Sequence, residues 1–511
     1  MLPQGYVSSS LPFWAVLIPL LGAVGIAFVK EKQSNLYTYG VAGITFLVVI
    51  VMYPMVAQGN KLFLLVDTGL QVKLAFMADG LSILAGLISV TGWLLASAFA
   101  VEYMRSEHSL RRYNLFSLLS LTGMMGVVFT ANLFSLYIFF ELLSVASYVM
   151  VIHEETKESL VAGLTYLFMG ICGGLILLFS IIATYGIVGS GDLYQVLGGL
   201  KGHPLLPYIF WGYIIGFGVK AGLFPVHVWL PVAHPVAPSP ASALLSGIMI
   251  KAGAYGIFRT IYTIIGVEVL NHSNLMSALL ILALINIVLG SAVAIRQTEI
   301  KKMLAYSSIS QIGYVILGAA LLTPQGMMGG ILHIFNHAII KITLFLCAGA
   351  FIHQTGLRQL KDLRGIGSRM PITMICFTMA ALSMIGLPPF NGFISKWFLA
   401  LGALEVRKVG SYSAWVGITC LVTLLLSSFM NLVYYGPIIY GGWFTASKAD
   451  KHDQQSALEG HGSHSDTSKN DDPNLWMKIP LLALGLSTLF FGIFPQLPLN
   501  LARQISSLFF H

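Results

Sequence analysis

Of the 511 residues, 56% are hydrophobic and only 9% are charged, with a formal net charge of +8 and a mean hydropathy of +0.82. Soluble globular chains carry about 25% charged residues, so this composition excludes a water-solvated globule and predicts a chain dissolved in lipid. The basic residues lie scattered in short segments between apolar runs, which orients a membrane protein and gives no nucleic-acid surface.

The first apolar run, 11–29, has no cationic segment before it and is followed by Lys30 and Lys32. That pattern predicts a retained first membrane helix with its N-terminus outside. Further runs of bilayer-spanning length follow at 37–57, 79–101, 113–131, 133–152, 160–188, 207–230, 240–265, 274–295, 303–322, 327–352, 371–400, 412–440 and 475–496. The expectation is therefore an all-α polytopic membrane protein of about fourteen helices. No sustained period-2 pattern supports a β-barrel. Alternating from an outside N-terminus, the inside segments hold Lys30, Lys32, Arg105, Arg111, Arg112, Lys157, Arg296, Lys301, Lys302, Arg358, Lys361, Arg364, Arg369, Lys448, Lys451, Lys469 and Lys478. The outside segments hold Lys61, Lys73, Lys201, Arg259, Arg407, Lys408 and Arg503. The excess predicts both termini outside. The polar stretch 441–474 reads as a solvated inside linker, with a metal site at His452, His461 and His464 as the rival reading. Cys172, Cys347, Cys376 and Cys420 all fall in apolar runs without CxxC spacing, so no disulfide framework, iron–sulfur cluster or thiolate metal site is expected.

The remaining basic residues, Lys220, Lys251, Lys341 and Lys396, sit inside predicted spans, and Glu141 is the acid placed deep in one. A charged group at that depth costs roughly 2.5–3.5 kcal/mol by insertion scales, so such residues point to function. In "HIFNHAIIKITLF", His333, His337 and Lys341 recur every four residues and share one helical stripe, spaced to pass protons. The rival reading is a pair of hydrogen-bonded histidines and a snorkelling lysine. Lys220 precedes Pro225 and His227, and Lys251 lies mid-span in the next helix. Pro388 and Pro389, with Asn391 and Gly392, precede Lys396. Each proline cluster interrupts a span beside a buried lysine, which suggests internal duplication around a gated path. A lysine from a neighbouring helix is expected to pair with Glu141.

The stretches "FFELLSVASYVM", "GVKAGLFPVHVWLPVAHPVAPSPASALLSGIMIKAGAYGIFR", "HIFNHAIIKITLFLCAG" and "GLPPFNGFISKW" resemble the antiporter-like subunits of respiratory complex I, Mrp-type sodium/proton antiporters and energy-converting membrane hydrogenases. The resemblance covers roughly residues 75–440. It implies two inverted five-helix repeats, helices 4–8 (113–265) and 9–13 (274–440), with helices 7 and 12 discontinuous, flanked by 1–112 and 475–511. It implies that Glu141 pairs with Lys220, that Lys251 is the central lysine, that His333, His337 and Lys341 form a polar axis, that Lys396 ends it and that His227 joins the relay. The subtype it favours is the D-type Mrp subunit or its counterpart in a hydrogenase or complex I-like assembly, and lysine at 396 argues against the M-type. The expected function is proton or sodium/proton translocation coupled to electron transfer in partner subunits, including a redox arm. The chain itself would hold no cofactor and no resident metal, within lipid, in a prokaryotic cytoplasmic membrane. A redox-independent antiporter and a non-conducting scaffold are the rivals.

Overall fold

A computed structural model describes residues 5–66, 74–271, 273–406, 412, 414–445 and 471–510. Most of the linker 441–474, with its three histidines, lies outside the described residues. Helices dominate because a bilayer interior offers no water to unpaired backbone groups, and a helix satisfies its own. Among the described residues, eleven helices are long and apolar enough to cross a membrane. Leu110–Phe129 and two interrupted helices stand outside that number, so the expected fourteen rests on counting these as crossings.

Several helices extend beyond their apolar runs to a polar cap. The run predicted at 160–188 is Lys157–Val188, where Thr156 accepts from the Ser159 N–H. That predicted at 327–352 is Pro324–Thr355, capped by Thr323 on the Gly326 N–H. The spans predicted at 207–230 and 371–400, with interruptions expected at their prolines, are each two helices: Leu206–Ala221 with Leu230–Val236, and Pro371–Ile385 with Asn391–Glu405.

The helices Ser239–Ile265, Ile300–Ala320 and Pro324–Thr355 form the centre, with 94% or more of their apolar windows buried. Leu11–Phe28, Glu31–Ala57 and Lys157–Val188 are peripheral, at 39% or less. The central helices are those that carry Lys251 and the His333–Lys341 stripe.

The two ends of the bundle differ. At one end a three-stranded sheet, absent from the sequence reading, joins β1 (Tyr6–Ser8) parallel to β2 (Lys61–Val66), and β2 antiparallel to β3 (Leu74–Ala78). The tail after the last span is a further helix, Gln496–Ser507, and it packs at this same end. Gln504 Nε2 donates to the Val56 carbonyl at 3.1 Å and Ser506 Oγ to the Pro324 carbonyl at 3.2 Å. At the other end Arg111 bonds Glu31, Arg112 bonds Glu155, and Arg369 bonds Asp471.

Candidate functional site

The Lys220 helix stops where Gly222 takes φ +83°, a left-handed conformation that glycine adopts without a Cβ penalty. The Gly222 and Leu223 N–H groups both turn back to the Gly218 carbonyl at 2.9 Å. Phe224–Pro225 is a cis peptide, and the helix resumes at Leu230. Lys220 is buried in the last turn before this break. Its ammonium donates to the Tyr166 hydroxyl and to Ser144 and Ser147 Oγ, both at 3.3 Å, and sits 4.9 Å from the centre of the Tyr166 ring.

The expected Glu141–Lys220 contact is not made. Three hydroxyl acceptors match the three donors of an ammonium group, and two of them stand on the Glu141 helix itself. Glu141 Oε1 has no hydrogen-bond partner, and its carboxylate rests against Gly174, where any Cβ would strike it. Lys220 still acts on Glu141 through its charge, at longer range than an ion pair. His227 lies in the break, stacked on Phe224 at 5.7 Å. Its Nδ1 is buried without a partner, and no hydrogen bond joins it to either neighbouring lysine among the described residues. The structure does not connect His227 to the row.

The next helix contains a π-helical turn, Leu245–Met249, and Lys251 Nζ donates to the Ser246 carbonyl within it at 2.7 Å. The charge of Lys251 reaches His333, His337 and Lys341. His333 and His337 have near-parallel rings 5.9 Å apart. His333 is fixed between Ser395 Oγ and Gln311 Oε1, each at 3.0 Å, whereas neither nitrogen of His337 has a partner. Lys341 Nζ donates to the Leu304 carbonyl at 2.9 Å and to Tyr435 Oη at 3.5 Å.

The second break repeats the logic of the first. Gly386, at φ +94°, ends Pro371–Ile385, and Pro388–Pro389 is cis. The broken turn leaves the Met384 and Ile385 carbonyls to Lys396 Nζ, which donates to both at 2.9 Å and to Ser428 Oγ at 3.1 Å. The Tyr314 ring stacks on His333 at 5.1 Å and lies 5.2 Å from Lys396 Nζ, linking the stripe to this lysine. The structure thus gathers Lys251, His333, His337, Lys341 and Lys396, and sets Lys220 and Glu141 to one side. Gly222–Leu223–Phe224–Pro225 and Gly386–Leu387–Pro388–Pro389 share an order of glycine, leucine, any residue and cis-proline. The sequence reading compared only where lysine falls relative to proline and passed over this shared motif.

Three further groups escaped that reading. Lys301, assigned to a surface segment, is buried with Nζ on the Ala237 carbonyl at 2.9 Å. His234 is fully buried, stacked on Phe345 at 4.7 Å, with neither nitrogen partnered, and the charges of Lys301, Lys341 and Lys251 all reach it. The isolated histidine in "LPVAHPVAPSP" was the available signal. Arg259, counted as an exposed outside charge, is buried against Asp79, with both guanidinium–carboxylate contacts at 2.7 Å. This pair lines a cavity of about 650 Å³ at the sheet end, with Tyr6, Lys61 and Tyr194.

Four lysines within a helical membrane bundle are held by neutral oxygens, two of them beside helix breaks, and comparison with known proteins places the chain among membrane subunits of one family. The family model described as NADH:quinone oxidoreductase/Mrp antiporter, transmembrane, matches residues 130–432. The chain is 33% identical over 443 residues to the N-type subunit of NADH-quinone oxidoreductase from Desulforudis audaxviator, covering 84% of this chain and 83% of that protein. It is 30% identical over 431 residues to the D-type subunit of the Na(+)/H(+) antiporter from Alkalihalophilus pseudofirmus, covering 82% and 86%. A chain of the Mrp complex from Dietzia sp. DQ12-45-1b superposes with a TM-score of 0.82 at 24% identity, over 98% of this chain and 97% of that one. The chain belongs to the NADH:quinone oxidoreductase/Mrp antiporter family and is an antiporter-like membrane subunit.

Proposed function

We propose that this protein carries protons through the membrane along Lys220, Lys251 and the stripe Lys341, His337 and His333, ending at Lys396, with Glu141 biasing the Lys220 end. The observation that carries the reading is the set of ammonium partners. Lys220, Lys251, Lys341 and Lys396 are each held by hydroxyl or carbonyl oxygens, so no contacting carboxylate fixes any of them in one state. A proton on one therefore disfavours a proton on the next, which couples the sites along the row. Unpartnered His337 supplies an acceptor between Lys251 and Lys341, and His234 with Lys301 continues the row toward the end that bears Glu107 and Glu154.

The coupled process is electron transfer in a partner arm, in line with the relative named as part of an NADH-quinone oxidoreductase. A second reading, an antiporter component powered by ion gradients alone with Na+ as the exchanged ion, is favoured by the similarity to the Na(+)/H(+) antiporter. Identities of 33% and 30% do not separate the N and D subtypes, and Lys396 argues only against the M-type, so the D-type preference rests on the chain's motifs. In the native assembly, Lys220→Ala and Lys396→Ala are each expected to lower coupled proton movement by about tenfold or more while the complex still assembles. Full coupling in both variants would leave only the scaffold reading. Redox subunits in the purified complex would select the first driving force, and their absence the second.

A further inference from the structure

At the end of the bundle opposite the sheet, Glu107, His108 and His153 bring a carboxylate oxygen and two imidazole nitrogens within 4.8 Å of one another. Glu107 and His108 lie in the turn between Gly80–Tyr103 and Leu110–Phe129. His153 lies just past the end of the Glu141 helix. His153 is fully buried, yet neither ring nitrogen has a hydrogen-bond partner. Its ring is fixed between His108, stacked at 5.0 Å, and the edge of Tyr113 at 5.4 Å. Buried polar atoms are ordinarily paired, so an unpartnered imidazole with a carboxylate and a second imidazole within 4.8 Å calls for a ligand. The nearby cation does not supply one: Arg112 is committed to Glu155 and to the His153 carbonyl.

We propose that Glu107, His108 and His153 bind a divalent transition-metal ion of the zinc class, with water completing the shell. Two imidazoles and one carboxylate suit Zn2+, whose sites are tetrahedral, whereas Mg2+ and Ca2+ prefer all-oxygen shells. Bonds of about 2.0–2.1 Å would place the ligand atoms about 3.3 Å apart, so the set closes inward by about 1.5 Å. His108 is exposed, so its ring can turn out of the parallel stack and away from Glu155, 4.0 Å from its Nε2, to bring its nitrogen to the ion, while His153 stays against Tyr113. The ion would tie the turn after the third helix to the exit of the helix bearing Glu141.

The test uses the native complex in mild detergent, with His452, His461 and His464 changed to Asn so that the linker contributes no ligands. Equilibrium dialysis against Zn2+, and the visible spectrum after Co2+ addition, read binding without reference to transport. One tight equivalent with a tetrahedral Co2+ spectrum is expected, weakened by roughly tenfold or more in both His108→Asn and His153→Asn. His108 is exposed, so its variant keeps the test valid if His153→Asn fails to fold. No tight equivalent in the parent, or undiminished binding in His108→Asn, would overturn the site.

Discussion

At the residue scale, the Asp79–Arg259 pair shows how a charge is kept in the interior. Burial pushes the Asp79 carboxyl up, but the Arg259 charge and the hydrogen bonds from Arg259 and Ser82 outweigh it and hold the group at about 2. Asp79 also caps Gly80–Tyr103 through the Ser82 N–H at 2.9 Å. Removing the acid therefore leaves a buried guanidinium unpaired and a helix uncapped. Asp79→Ala is expected to destabilise the protein by about 3–5 kcal/mol, read as a lower melting temperature in detergent. Asp79→Leu with Arg259→Met should recover much of that loss, since both charges are then gone. The pH dependence has a definite sign. A carboxylate depressed from 3.8 to about 2 contributes stability that is complete above the unfolded value and is lost as pH falls from about 4 toward 2. The Asp79→Ala variant should lack that acid limb.

At the element scale, the two breaks set the geometry, and Gly386 is the sharper probe. A Cβ there would come within 2.8 Å of Lys396 Cδ and 3.2 Å of Nζ, and the φ of +94° disfavours any side chain. Gly386→Ala should displace Lys396 from the Met384 and Ile385 carbonyls and depress proton movement, at a backbone cost of about 1–2 kcal/mol. Gly356→Ala supplies the control: its φ is +72° with open space around the new Cβ, so it carries similar strain without touching the row. Comparable transport loss in both variants would mean that strain, not Lys396, is responsible. The breaks were legible because proline cannot donate its N–H within a span, so Pro225, Pro388 and Pro389 declare themselves. The sheet was not. Lys61–Val66 reads as a short apolar link, and its partner Tyr6–Ser8 lies two helices earlier in the chain while Leu74–Ala78 follows only after residues 67–73. Local pattern carries no register across such separations. Of the candidate site, the sequence exposed which residues are ionisable and deep. It could not expose that Ser144, Ser147 and Tyr166 would take Lys220 from Glu141, because serine and tyrosine are unremarkable in a membrane helix.

At the scale of the whole molecule, the placement of positive charge predicts orientation. β1 pairs with the strand after the second helix, and Gln504 reaches Val56 at the end of that helix, so the N-terminal strand and the C-terminal helix share one end. The chain between them therefore makes an even number of crossings. That end carries Lys61, Lys201 and Arg503, and Lys201 is engaged by Glu268 at 2.6 Å. The opposite end carries Lys30, Lys32, Arg105, Arg111, Arg112, Lys157 and Arg369, with Glu31, Glu155 and Asp471 offsetting some of them. Orientation follows the count of lysine and arginine and takes little account of acids, so the second end should face the cytoplasm. The native cysteines leave a quiet background, since Cys347, Cys376 and Cys420 are buried and Cys172 lies within a lipid-level helix. Lys201→Cys is expected to react with a membrane-impermeant maleimide in intact cells, and Lys157→Cys only in inverted vesicles. The reverse pattern would place the Glu107–His108–His153 cluster and the Lys301 end of the row outside. Proton uptake and release would then exchange sides.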